Sequence, residues 1–294
     1  MTDRIIDLAN GAARLKVRYD NLVIERQDAE PVSLPLADVG VLIVSHPQVS
    51  FTHAVLSGLT AAGGAFIACD RKHMPAGMLL PLKGHFVQTE RFAQQANASR
   101  PTSKRLWQQI VRAKIRNQAA VFKDVRGEDS GLSALIRQVR SGDPANIEAR
   151  ASRRYWPALF GDDFRRHEDD GPNAVLNYGY AVLRAIVARA ICAAGLHPSL
   201  GVHHHNRYDT FCLADDLMEP MRPIIDRAAA ALVNEHGADL ELDRDVKAAL
   251  LTALTGRVGM RGERRTLFDA AARSASSLAA VFADKRKELD LPEL

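Results

Sequence analysis

The chain has 294 residues, 47% of them hydrophobic and 25% charged, which predicts a soluble globular protein with at least one full core. Its 39 Lys and Arg against 35 Asp and Glu give a formal charge of +4, a bias that permits an anionic partner such as nucleic acid without demanding one. Three scattered cysteines, Cys69, Cys192 and Cys212, form no Cys-x-x-Cys and argue against a disulfide framework, and the acidic start Met-Thr-Asp-Arg-Ile-Ile-Asp argues against a secretory signal. A reducing, cytoplasmic setting is expected.

From Arg4 to about Leu82 the hydrophobic period is mostly two. In residues 13–19, Leu15, Val17 and Tyr19 alternate with Arg14, Lys16 and Arg18; Asp20-Asn21 reads as a turn, and residues 22–26 return as the second arm of a hairpin. Residues 32–36, 39–45, 65–69 and 78–82 are further strands, and Ser50 is expected to cap a short helix carrying Val55, Leu56 and Leu59. The uncharged stretch 39–69 is broken by His46, Pro47, Ser50, His53 and Gly63-Gly64, so it reads as strand, turn, helix, strand and excludes a membrane span there. Residues 1–84 are thus predicted to form a small β-rich domain whose hairpin edges suit self-association.

After Gly84 the strand signals stop, and residues 85–294 read as a larger all-helical domain, giving an α+β fold. Helices are expected over 86–98, 101–122, 131–139, 144–160, 172–194, 208–219, 221–236, 242–254 and 263–289, with a charged loop at 162–171. On the helix that opens at Ser99-Arg100-Pro101, Arg105, Arg112 and Arg116 share one face, with Lys104 and Lys114 nearby; this is either a phosphate track or a solvated face. Arg257, Arg261, Arg264 and Arg265 make a second basic cluster, and Arg71-Lys72-His73 a third.

Two stretches carry candidate chemistry. In residues 144–160, Ile147, Ala151, Tyr155 and Leu159 form an apolar stripe with Glu148 at its border, where a half-buried carboxylate needs a partner; the alternative is an ordinary first-turn glutamate favoured by the helix dipole. In residues 198–223, Pro198 and Gly201 end an apolar run ahead of His203, His204 and His205, and Asp215, Asp216 and Glu219 follow at helical spacing. Carboxylates this close repel unless a cation lies between them, and a divalent metal is the simplest such cation. Carboxylates with one imidazole suit Mg2+ or Mn2+ better than structural zinc, with a solvated histidine loop as the plainer reading.

These segments resemble the CRISPR-associated Cas1 family, the integrases that insert new spacers into a CRISPR array. The likeness spans the chain and is most specific in Asn146-Ile147-Glu148-Ala149-Arg150 with Tyr155-Trp156, in Asn177-Tyr178-Gly179-Tyr180-Ala181 with Gly195-Leu196-His197-Pro198, and in Gly201-Val202-His203-His204 with residues 216–223. The resemblance implies a catalytic metal, Mg2+ or Mn2+, on Glu148, His204 and Glu219. His204 is preferred because the family's histidine lies three positions after the glycine matching Gly201, and Asp216 becomes a supporting acid. Glu219 stands where many relatives have aspartate, which points to the branch that accompanies a single-protein RNA-guided effector nuclease.

The implied reaction is attack by the 3′-hydroxyl of a captured spacer DNA fragment on a phosphodiester of the repeat. The implied partners are DNA, a second copy in a homodimer, the small Cas2 protein and the effector nuclease. The alternatives are a metal-dependent endonuclease acting on branched or foreign DNA and a nonenzymatic DNA-binding scaffold.

Overall fold

The computed structural model describes residues 3–27, 29–166 and 171–294. Its first part holds β1 (Arg4–Leu8), β2 (Ala13–Arg18), β3 (Asn21–Arg26), β4 (Ala29–Pro35), β5 (Val39–Val44), β6 (Val49–Phe51), α1 (His53–Ala61), β7 (Ala65–Cys69) and β8 (Pro75–Leu79). They form two four-stranded sheets, ordered β4-β3-β2-β6 and β1-β5-β7-β8. In the second sheet β1, β5 and β7 run parallel and β8 antiparallel, so the continuously apolar β5 is covered on both faces. Side chains alternate accordingly: Leu8, Leu42 and Phe66 meet Leu15, Leu22 and Leu34 of the first sheet, while Val41, Ile43 and Ile67 join the core of the helical part.

The hairpin expected from residues 13–26 is present, but its turn lies one residue earlier. Tyr19 and Asp20 both take positive φ, 49° and 57°, and Arg18 already pairs with Asn21, as a type I′ turn requires. Ser50 does not cap a helix; it lies in β6, and α1 starts after Thr52. The strand expected at 78–82 is shifted to Pro75–Leu79, since proline suits the first position of an edge strand and Leu82 projects 87% exposed beyond it.

The remainder holds α2 (Gln88–Ala96), α3 (Arg100–Arg126), α4 (Leu132–Ile136), α5 (Ile147–Phe160), α6 (Gly171–Ala193), α7 (Cys212–Met218), α8 (Arg222–His236), α9 (Arg244–Leu254), β9 (Arg257–Met260), β10 (Glu263–Thr266) and α10 (Leu267–Phe282). The loop expected at 162–171 lies partly outside the described residues. Helix α3 opens where Ser99 Oγ accepts the Thr102 amide and closes on left-handed Gly127, as its sequence signals imply. The expectation of an all-helical second part misses one hairpin: β9 and β10 turn through Arg261 and Gly262, both at positive φ, and the last helix begins only where Thr266 Oγ1 accepts the Asp269 amide. Around residues 290–294 the chain returns to this hairpin, Glu293 pairing with Gly259.

Helix α6 is the hub, packing on α7, α8, α9 and α10 and on the second sheet. Among the described residues it alone is long and apolar enough to cross a membrane, yet 72% of that apolar window is buried inside the fold. Its approach to α8 needs Gly179, where a Cβ would lie 2.6 Å from Ile225 Cγ2.

Candidate active site

Three elements bring the site together. Helix α5 begins where Asp143 accepts the amides of Ile147 (3.0 Å) and Glu148 (2.9 Å), and Ile147, Ala151, Tyr155 and Leu159 bury its apolar stripe, which leaves Glu148 on the border as the spacing predicts. Between α7 and α8 the chain passes through Glu219-Pro220-Met221, pinned to α3 by Asn117 Nδ2 donating to the Pro220 carbonyl at 2.7 Å. Helix α3 supplies Lys114, itself only 9% exposed, on the face away from its arginines.

Lys114 Nζ lies 2.6 Å from Glu148 Oε1 and 2.5 Å from Glu219 Oε2, and Arg222 Nε lies 2.9 Å from Glu219 Oε1. Glu148 and Glu219, 71 positions apart in sequence, are thus drawn to one ammonium. Burial alone would lower the Lys114 pKa, but the charges of Glu219 and Glu148 outweigh it and raise it. Burial likewise works against the Glu219 carboxylate, yet Arg222 and Lys114 hold its pKa down at about 2. The Lys114 contact to Glu219 Oε2 is an ion pair off the hydrogen-bonding direction, so this buried oxygen keeps an unused acceptor position.

The histidine loop closes over Asp216. That carboxylate, fully buried, accepts the amides of Val202 (2.6 Å), His203 (2.8 Å) and His204 (3.3 Å), and its Oδ1 lies 2.5 Å from His204 Nδ1. The loop can pass this close only because residue 201 is glycine: a Cβ there would sit 3.1 Å from Asp216 Oδ2 and collide with the His204 carbonyl. With Nδ1 held, Nε2 is the free ring nitrogen of His204, whose side chain is 45% exposed. The hydrogen bond to Asp216 is the main cause of a raised His204 pKa, opposed by partial burial. Asp215 is gripped by Arg184 through bonds of 2.7 and 2.8 Å and shares Arg222 with Glu219, whereas Asp216 faces the histidine loop, so the acids of this segment divide between two sets of partners. Helical spacing alone did not show that separation.

Side-chain cations lie beside the carboxylates for which a metal is expected. Among the described residues no three His, Cys, Asp or Glu side chains converge as a metal cluster; Lys114, Arg222 and Arg184 supply the compensating charge. The donor types nevertheless suit a hard divalent cation: the Glu148 and Glu219 carboxylates meet at the point now held by the Lys114 ammonium, Glu219 Oε2 keeps an unused acceptor position, and His204 presents a free ring nitrogen from the histidine loop.

Lys114 and Arg222 are the residues that sequence reasoning missed. Lys114 stands nine positions after Arg105, a half-turn of the helix at ~100° per residue, which was the signal that set it apart from the stripe. The stripe itself is partly engaged: Arg112 donates to the Val139 carbonyl at 2.8 Å, and Arg116 lies 3.7 Å from Glu293. In the second basic cluster, Arg261 pairs with Asp290 (2.5 Å) and Arg265 with Asp269 (2.9 Å). On the other flank of Glu148, a cleft of about 540 Å³ exposes Trp156, Arg153 and Arg165.

The fold and this arrangement define an α+β protein with an acidic pair held by one buried lysine beside a histidine loop. Residues 8–255 match the family of CRISPR associated protein Cas1, and the chain belongs to that family. It is 37% identical over 298 residues to the CRISPR-associated endonuclease Cas1 of Neisseria meningitidis serogroup C (strain 8013), covering 100% of this chain and 97% of the relative. Among solved structures, a casposase bound to integration product superposes with a TM-score of 0.79 at 18% identity, over 98% of this chain and 92% of that one. A Cas6-RT-Cas1–Cas2 complex gives 0.72 at 18% identity, over 98% of this chain and 36% of the larger one. At this identity the two structures show a shared fold.

Proposed function

We propose that this protein is the integrase of CRISPR adaptation, joining the 3′-hydroxyl ends of a captured DNA fragment to phosphodiesters at the ends of a repeat. The observation that carries the reading is the convergence of Glu148 and Glu219 on one buried cation beside His204, in a chain of the Cas1 family. The casposase likeness supports joining over cutting, since that neighbour is described as bound to integration product. The name endonuclease on the Neisseria relative favours hydrolysis as the second reading, with water in place of the 3′-hydroxyl.

In the proposed reaction the 3′-oxygen attacks phosphorus, a new P–O bond forms, the old P–O3′ bond breaks, and the hydroxyl proton ends on the departing 3′-oxygen. One phosphodiester replaces another, so neither a protein nucleophile nor an energy source is required. Glu148, Glu219 and His204 Nε2 would hold Mg2+ or Mn2+ once the Lys114 ammonium withdraws, and the bound ion would supply Lewis-acid polarisation of the phosphoryl oxygen. Asp216 keeps the His204 ring oriented and its Nδ1 protonated. Arg222 stays beside Glu219 and limits the negative charge that a phosphate meets on entry.

The proposal extends to assembly. A fragment has two ends, so two active sites are needed, and a homodimer built partly through the β-rich residues 1–84 provides them. The Cas1–Cas2 neighbour supports a Cas2 partner, and the Neisseria likeness with Glu219 supports the branch that works beside an RNA-guided effector nuclease in the cytoplasm. Incubation with a labelled fragment, repeat DNA, Cas2 and Mg2+ tests the reading: joined, longer strands are expected, and shortened strands alone would favour hydrolysis.

A further inference from the structure

Beside His204, lined by its neighbours His203 and His205, lies a cleft of about 610 Å³ that the reaction as described leaves unused. Its floor is Trp107, 2% exposed, with the His203 ring stacked flat on it at 4.1 Å and 2°. One face of His203 is therefore covered and the other is open, since His203 is an exposed residue and lines the cleft. Two exposed cations, Arg100 and Lys104 from the first turns of α3, form the rim, with His205 opposite. Lys104 is held there by its own backbone: its carbonyl accepts the Gly142 amide at 2.9 Å, and its aliphatic stem lies where a Cβ on Gly142 would come within 3.0 Å. Among the described residues no acidic side chain lines this cleft, in contrast to the carboxylate-rich site next door.

We propose that the cleft is a subsite for one nucleotide of single-stranded DNA, its base stacked on the open face of His203 and its phosphate between Arg100 and Lys104. A flat π-face backed by a buried indole, with two cations at its rim and no acid, matches an aromatic platform beside a phosphate track. The His203 and His204 ring centroids are 5.4 Å apart. At a rise of about 3.4 Å per nucleotide, the stacked base lies within one or two steps of the reacting end. His203 is then a binding residue, distinct from His204 by task although adjacent in sequence. The inference rests on the integrase reading and adds to it where the reactive strand end lies.

The test uses 2-aminopurine placed at each of the last four positions of a single-stranded 3′ overhang, with binding followed in EDTA. The fluorescence should be quenched at one of the last two positions. His203→Ala should abolish the quenching and weaken binding roughly tenfold, as loss of one stacking contact does, whereas His203→Phe should preserve both. Lys104→Ala, on the exposed rim, should weaken binding and reduce the salt slope by ~0.7 while leaving the unfolding temperature unchanged; it carries the test if His203→Ala fails to fold. Glu148→Ala should lose joining and keep the quenching. Quenching without joining by the wild-type protein would support the subsite and overturn the integrase reading. Joining by the wild type, with quenching absent or unaltered in His203→Ala and Lys104→Ala, would overturn the subsite alone.

Discussion

Lys114 Nζ lies 2.5 Å from Glu219 Oε2, so the proposed metal ligand is neutralised by a lysine of the same chain. The same ammonium also meets Glu148. A cation built into the protein keeps two acids together that would otherwise repel, and it must leave before an ion can enter.

Lys114→Met should therefore destabilise the metal-free protein by ~1–3 kcal/mol, the usual cost of removing one partner of a buried polar group, since Glu219 keeps Arg222. Because the competing cation is gone, Mn2+ should raise the unfolding temperature of the variant more than that of the wild type. Thermal unfolding with and without Mn2+ checks this. An equal shift in the two proteins would mean that Lys114 and the ion do not compete.

Asp216 governs both the loop and the His204 ring. In Asp216→Asn the loop loses a charged acceptor for three amides, so protease cleavage near residues 202–206 should speed up. The His204 pKa, raised above 6.5 chiefly by this carboxylate, should fall, which imidazole NMR titration can follow. The sign for folding is that the raised pKa stabilises below pH 6.5, and that contribution is lost as pH rises through the folded value. The sign for metal binding is the reverse, since a proton on Nε2 blocks ligation, so affinity should decline on acidification from above pH 6.5.

Asp226 offers a test of stability one turn along α8 from Arg222. It is buried, receives hydrogen bonds from the Tyr155 and Tyr180 hydroxyls, and is pushed up to about 7 mainly by burial. The folded state therefore binds this proton more tightly than the unfolded state. Its contribution should fall as pH rises from about 4 to about 7, by at most ~1.4 kcal/mol per pH unit. Denaturant titrations should show that Asp226→Asn removes this part of the slope. An unchanged slope would place the protonation elsewhere.

Much of this was legible in the sequence, and the exceptions have physical causes. Glu148 was findable because Ile147, Ala151, Tyr155 and Leu159 mark its helix face, and all four are buried. The parallel β1, β5 and β7 were harder, because parallel neighbours are set by crossovers and not by a local bend such as the one at Asn10-Gly11 after β1. The hairpin at Arg257–Thr266 was read as helix or loop because its arginines suggested a charged surface, while Arg261-Gly262 was the overlooked turn signal. The partners of Glu219 were beyond local reading: Lys114 is 105 positions away and reaches it only through the crossing of α3 with the α7–α8 junction. Arg222, three positions on, was within reach, but an i,i+3 pair looks the same in sequence whether buried or exposed.

The most direct measurement is Mn2+ binding by electron paramagnetic resonance, on the wild-type protein and on Glu148→Gln, Glu219→Gln and His204→Ala, without DNA. Each variant should bind Mn2+ at least roughly tenfold more weakly than the wild type, and Lys114→Met more tightly. Wild-type affinity in all three ligand variants, or no Mn2+ bound to the wild type at millimolar concentration, would contradict the assignment of Glu148, His204 and Glu219 as a metal site.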